Sequence, residues 1–196
     1  MSKFREFFLA LVCFSGLTSA GIAQQPAEMN HDMHNMAMPT FSAGIAEMSL
    51  KFELVGAEGQ LVSQDDFAGK NMMLAFGFTY CTHICPLIAA NMANTLKIAD
   101  SNAVGVFISV DTERDTPEIT NNYSTRFHPK ITGLSGSHDQ VSQAAKNFNT
   151  TFVVTKTPDS YTVQHSPGIF LISPEGELID VFAINTAPEE IAAAMQ

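Results

Sequence analysis

The sequence predicts an α/β fold with a central mixed sheet flanked by helices and an N-terminal β-hairpin, and three observations predict it. Two apolar runs, Asn71–Phe78 and Val104–Val110, read as buried strands. Helix signals follow each of them, so strand and helix alternate and the sheet is parallel there. Near the C-terminus the turn Ser173-Pro174-Glu175-Gly176-Glu177 separates two further apolar runs, which read as an antiparallel hairpin.

Taken in order, the chain opens with Lys3 and Arg5 before an apolar run, Phe7–Leu17, and the small residues Thr18–Ala23 then offer cleavage after Ala20 or Ala23. Residues 1–23 therefore read as a signal peptide exporting the protein to the periplasm. The run falls short of the roughly 20 residues of a membrane span, and extending it to Ala23 gives the alternative, an uncleaved anchor. Cys13 lies too early in the run for lipidation and goes with the leader. The destination is oxidising, where an unprotected thiol pair tends to close into a disulfide.

Residues 24–40 carry neither strand nor helix periodicity and are expected to be disordered. Met29, His31, Met33, His34, Met36 and Met38 crowd into ten residues of this tail. Thioether sulfur and imidazole suit copper, above all Cu(I), so the segment reads as an exchangeable copper-capture tail, against the alternative of a linker that happens to be methionine-rich.

The folded domain is placed at 41–196. Met48–Val55 and Gln60–Val62 pair across Gly56-Ala57-Glu58-Gly59 as a hairpin, and Ser63–Lys70 makes a helical turn closed by Gly69. After the first central strand, Pro86–Asp100 carries Ile88, Met92, Leu96 and Ala99 at helical spacing. The second central strand closes on Asp111–Glu118, where Thr116 as N-cap and Pro117 at the first helical position begin a helix to about Phe127. Ser137 with Gln140 forms a capping box for a helix whose Val141, Ala144, Ala145 and Phe148 share a face. Tyr161–Pro167 leads into Gly168–Ile172, the turn, and Leu178–Phe182; Thr186 with Glu189 forms a second capping box for a helix to Met195. A parallel core finished by an antiparallel hairpin and a helix, with a cysteine pair after the first core strand, is a thioredoxin-like plan. Pro167 stands where that plan has a proline before its third core strand, which predicts a cis Ser166–Pro167 bond.

The chemistry centres on Cys81 and Cys85, where the first strand hands over to a helix. A helix N-terminus presents unpaired N–H groups and the positive dipole end, which favour thiolate. Three residues separate the cysteines, one more than in the thioredoxin redox motif. On one regular helix their Cβ atoms would lie roughly 5 to 6 Å apart, beyond the roughly 3.5 to 4.5 Å of a disulfide. A soft metal ion bridges that gap more readily. A Cys81–Cys85 disulfide stays open if Cys81 lies in the loop, as does a buried structural pair. His83, between them, reads as an extra ligand, a proton carrier or plain surface. Asp111 and Asp115 fall at the carboxyl end of a core strand, where open α/β sheets place their sites; they either orient Arg114 and shape a partner surface or serve as helix cap and local ion pair. His128 and His138 receive no role.

The net charge of −10 excludes nucleic acid and anionic membrane surfaces as partners. No small organic substrate is expected either.

The combination Gly77-Phe78-Thr79, Cys81-x-x-x-Cys85-Pro86, Val110-Asp111-x-Glu113-Arg114-Asp115-Thr116-Pro117-Glu118 and His165 shortly before Ile169-Phe170-Leu171-Ile172 resembles the SCO/SenC family of copper-handling proteins over 41–196. The resemblance implies a thioredoxin-like fold and one copper ion held by Cys81, Cys85 and His165. It further implies delivery to the binuclear copper site of cytochrome c oxidase, so the partners expected are the copper-bearing oxidase subunit or other copper-handling and thiol proteins. This chain departs from the family in carrying Thr82 and His83 where Pro and Asp are common, and Thr112 in place of a proline. The chemistry agrees with the resemblance: two thiolates and an imidazole form a trigonal set for Cu(I), and an added water or carboxylate adapts it to Cu(II). A closed zinc site would want four protein ligands.

Three classes of function compete. Copper delivery is binding and transfer rather than catalysis. A thiol–disulfide oxidoreductase would use Cys81 to attack, reducing oxidase cysteines or other periplasmic thiols. A peroxidase usually has a threonine three residues before the attacking cysteine, and here that residue is Phe78.

Overall fold

The structure, a computed structural model, describes residues 48–99 and 102–196; the expected leader and the Met/His-rich tail lie outside the described residues. A hairpin of β1 (Glu53–Val55) and β2 (Leu61–Ser63) leads through a single 3-10 turn, Gln64–Phe67, into β3 (Asn71–Gly77). Helix α1 (Ile84–Ile98), β4 (Ala103–Ser109), α2 (Pro117–Thr125), β5 (Ile131–Leu134) and α3 (His138–Asn147) follow. Then come β6 (Phe152–Thr157), β7 (Ser160–His165), β8 (Ile169–Ile172), β9 (Leu178–Phe182) and α4 (Pro188–Ala193).

The central sheet has the order β5-β4-β3-β8-β9. β3, β4 and β5 run parallel, and β8 and β9 run antiparallel to their neighbours, so the mixed sheet is as predicted. All seven residues of β3 are buried. Because strand side chains alternate between faces, Met72, Leu74 and Phe76 enter a core under α3 and the β1–β2 hairpin, while Met73 and Ala75 enter a second core with Ile88, Met92 and Leu96 of α1 and Ile191 of α4. Tyr123 of α2 packs on that second core. Gly133 lets α2 lie directly on β5: a Cβ there would come 2.3 Å from the Thr120 carbonyl oxygen.

Several expectations need correction. α1 begins at Ile84, ahead of Pro86, because a proline in the first helical turn gives up only an N–H that has no intrahelical partner. Cys85 therefore lies inside the helix. α4 has Ala187 as its N-cap with no side-chain cap; Pro188 occupies the first helical position, and the Thr186–Glu189 box does not form. Every peptide bond among the described residues is trans, Ser166–Pro167 included. β5 and the β6–β7 hairpin were not foreseen. β5 is only four residues and contains glycine, and β6–β7 exposes most of one face, so neither makes an apolar run. Among the described residues no helix is long and apolar enough to cross a membrane.

Phe148 anchors the first core, with edge-on contacts to Phe76 and Phe170 at centroid distances of 5.7 and 5.2 Å. Phe148→Ala is expected to lower unfolding free energy by about 3 to 5 kcal/mol in urea titrations. Ser137→Ala, which removes half of the observed capping box of α3, should lower it by about 1 kcal/mol. Equal losses in the two variants would contradict the assignment of Phe148 as a core anchor.

Candidate functional site

The cysteine loop, 78–83, leaves β3 and is fastened from below. Asp115, wholly buried, accepts the Thr79 backbone N–H at 2.7 Å, the Thr79 hydroxyl at 2.6 Å and the Ser109 hydroxyl at 2.6 Å. A carboxylate removed from water is tolerated only when its oxygens are saturated in this way. The loop conformation two residues before Cys81 is thereby tied to the end of β4.

Cys81 is partly exposed and Cys85 buried, and both are free thiols. The Cys85 backbone N–H, in the first turn of α1, donates to Cys81 Sγ at 3.4 Å. Cys85 Sγ, which also hydrogen-bonds with the Cys81 thiol, lies 3.4 Å from His165 Nε2. Gly77 keeps room for that sulfur, since a Cβ would stand 3.1 Å from it. His165 ends β7, and its ring meets Phe78 edge-on at 6.0 Å. Its Nδ1 lies 3.2 Å from the Ser166 carbonyl oxygen. With the ring proton on Nδ1, donated to that carbonyl, the Nε2 lone pair is directed at Cys85.

The two thiols are electrostatically unlike. At Cys81, partial burial alone would raise the pKa, but N–H donors from Cys85, His83 and Ile84, with the Cys85 thiol, outweigh it, and the pKa is lowered. Burial pushes the Cys85 thiol up to about 12, and the nearby Cys81 and Asp115 charges add to it, despite a Phe78 backbone hydrogen bond that works the other way. The helix start thus favours thiolate at the residue just outside it and not at the one within. Burial also lowers the His165 pKa, partly countered by Ser166.

The structure therefore sets Cys85 against both Cys81 and His165. His83 is exposed, with its ring on the Thr82 hydroxyl at 2.8 Å. Met29, His31, Met33, His34, Met36 and Met38 lie outside the described residues. Among the described residues no three His, Cys, Asp or Glu side chains are grouped so as to hold a metal ion. The expected Asp111–Arg114 ion pair is present at 2.5 Å, with Asp111 buried. Sequence reasoning missed Tyr161, whose hydroxyl donates to Asp111 at 2.6 Å; an aromatic residue amid the polar alternation of β7 was the available signal.

Comparison with known proteins gives one consistent picture. The family model described as SCO1/SenC matches residues 42–196. "Protein sco1" of Schizosaccharomyces pombe is 35% identical over 161 residues, covering 78% of this chain and 61% of that protein; the chain thus spans under two thirds of this curated relative. The crystal structure of Arabidopsis thaliana ScoI with copper bound is 35% identical with a TM-score of 0.65, covering 73% of this chain and 92% of that one. Bradyrhizobium japonicum ScoI with copper bound is 31% identical with a TM-score of 0.66, covering 73% and 94%.

The thiol asymmetry has a direct chemical readout, because thiolate is the form that alkylates. In reduced protein, iodoacetamide pulses followed by peptide mass spectrometry should label Cys81 first. As pH rises from about 6 to 10, Cys81 labelling should rise and level off before Cys85 labelling becomes appreciable. Equal rates at both cysteines would contradict the burial of Cys85.

Proposed function

We propose that this chain, which belongs to the SCO1/SenC family, binds one copper ion through Cys81, Cys85 and His165 in the periplasm and delivers it to the binuclear copper site of cytochrome c oxidase. One observation carries the reading: Cys85 Sγ and His165 Nε2, 80 residues apart in sequence, stand 3.4 Å apart with the Nδ1 of the ring engaged elsewhere. Two sulfurs and one imidazole nitrogen are a donor set that copper accepts in its lower oxidation state, and an added oxygen ligand suits the higher one.

In this reading each residue has a defined task. Cys81, already biased toward thiolate, receives the ion at the surface. Cys85 loses its proton as sulfur–metal bonding replaces it, so loading releases a proton into solution. With the ring proton on Nδ1, facing the Ser166 carbonyl, His165 needs no deprotonation at Nε2. Cys81 Sγ, bonded to the Cys85 N–H, turns about its side-chain bonds to complete the set; it is the partly exposed thiol of the two. The tail at 24–40, with its methionines and histidines, would gather copper for this site. Residues 1–23 would act as the export signal or remain as an anchor.

A second reading is favoured by the thiol asymmetry. Cys81 thiolate attacks a partner disulfide, one partner sulfur leaves as thiolate, and Cys85 then resolves the mixed disulfide. The products are the Cys81–Cys85 disulfide and two partner thiols, a two-electron exchange. The partners would be oxidase cysteines or other periplasmic thiol proteins.

Copper titration of the reduced protein against a competing chelator separates the two readings. Cys81→Ser, Cys85→Ser and His165→Ala should each weaken binding by at least about tenfold, whereas disulfide reduction should survive His165→Ala. Unchanged copper affinity in His165→Ala would overturn the delivery reading. Deleting residues 24–40 should lower the number of copper ions bound and leave the thermal unfolding of the domain unchanged.

A further inference from the structure

The β6–β7 hairpin that carries His165 forms its own two-stranded sheet and pairs with no strand of the central five. Its approach to the cysteines is therefore set by the short link to β8, residues 166–168, and by side chains. Phe152 and Val163 pack on the first core, Phe152 also meets the His138 ring of α3 edge-on, His165 meets Phe78 and Cys85, and further contacts are made by the loop after β4. There Asp111 Oδ1 accepts the Tyr161 hydroxyl at 2.6 Å, and its Oδ2 accepts Arg114 Nε and Nη2, each at 2.5 Å. The Arg114 guanidinium lies 4.0 Å from the centroid of the Tyr161 ring and 4.7 Å from that of Tyr80. Lys156 of β6 pairs with Glu113 of the same loop. Tyr80 immediately precedes Cys81, and Tyr161 is four residues before His165 on β7.

We propose that Arg114 is a positioning residue of the metal site: held by Asp111 and packed against both Tyr80 and Tyr161, it couples the cysteine loop to the histidine hairpin and fixes the separation at which Cys85 and His165 meet. The inference deepens the copper-binding reading and rests on it. A guanidinium suits the task because it is planar, stacking on aromatic faces while its edge donates to a carboxylate. An ammonium keeps the charge but offers no flat face, so lysine cannot reproduce the arrangement. Arg114 touches none of the three ligands and acts only through the rings beside it.

The experiment compares Arg114→Lys and Tyr161→Phe with wild type; both keep Asp111 from facing an empty cavity, and Tyr161→Phe keeps the ring. In metal-free reduced protein, amide hydrogen exchange across β6 and β7 should quicken at least about tenfold while β3 and β4 are unaffected. Copper affinity should fall by about ten- to a hundredfold, with a weaker imidazole-nitrogen signature in the Cu(II) electron paramagnetic resonance spectrum. In a His165→Ala background Arg114→Lys should cause no further loss of affinity, because its effect passes through that ring. An equal loss in both backgrounds, or wild-type exchange and affinity in both folded variants, would overturn the proposal. Should wild-type protein bind no copper, the functional reading falls, and the exchange experiment still decides whether Arg114 holds the hairpin.

Discussion

The site depends on two buried carboxylates in one loop. Asp111 and Asp115 are both inaccessible to solvent, and a carboxylate in that position needs each oxygen occupied. Asp115 takes its donors from Thr79 and Ser109, and Asp111 takes its donors from Arg114 and Tyr161. The first set fixes the cysteine loop and the second fixes the hairpin. These contacts are therefore conditions for burying the charges, and one short connection following β4 orients both arms of the site.

The placement of the loop follows from the sheet. β3 and β4 are the paired parallel strands at its centre, with Gly77 opposite Ser109 in register. Their carboxyl ends consequently open at the same level, and the loops leaving them meet. The Val110 N–H donating to the Gly77 carbonyl at 2.8 Å extends that pairing one step past the strands. The thiol asymmetry has the same origin. α1 starts over the end of β3 with Cys85 turned into the core, while Cys81 remains on the loop, facing the N–H groups of the helix start. Spacing the cysteines four positions apart thus places one thiol at the positive end of the helix and the other in a dry pocket where only a metal or a partner sulfur readily takes the place of its proton.

Most of the fold was legible because its central strands are continuous apolar runs and two of its helices have strong start signals at Thr116-Pro117 and Ser137–Gln140, both observed as caps. The elements that escaped are those whose stability is tertiary. β5 is a strand because it lies between β4 and α2, and β6–β7 is a hairpin with little apolar surface of its own. Thr186 and Glu189 have capping-box spacing, but Pro188 already suits the first helical position and Ala187 becomes the cap. At the site, Cys81 and Cys85 were legible from their strand-to-helix context. His165 was legible as a residue and not as a position: without the hairpin, nothing local shows that it ends β7 against Cys85. Asp111 and Asp115 were visible as acids at a strand end, while their burial and their division of labour belong to three dimensions.

That division has a consequence for how a soft ion would be held and released. Two of the proposed ligands stand on the loop and helix that issue from β3, and the third stands on a hairpin that, beyond its chain links, is held to the domain by apolar packing, rings, one buried carboxylate and one surface ion pair. Segments held by few backbone bonds to their surroundings open at lower free energy than the sheet itself. Withdrawing the imidazole would break side-chain contacts around Tyr161 and leave all five central strands paired. The cysteine loop would keep its Asp115 clamp throughout, so both sulfurs would stay in place while the coordination number fell. Separating the rigid thiol half from an independently fastened imidazole half would allow the proposed three-ligand site to be opened at one edge, and the Asp111–Arg114 pair sits beside the ring of Tyr161 where that edge is fastened.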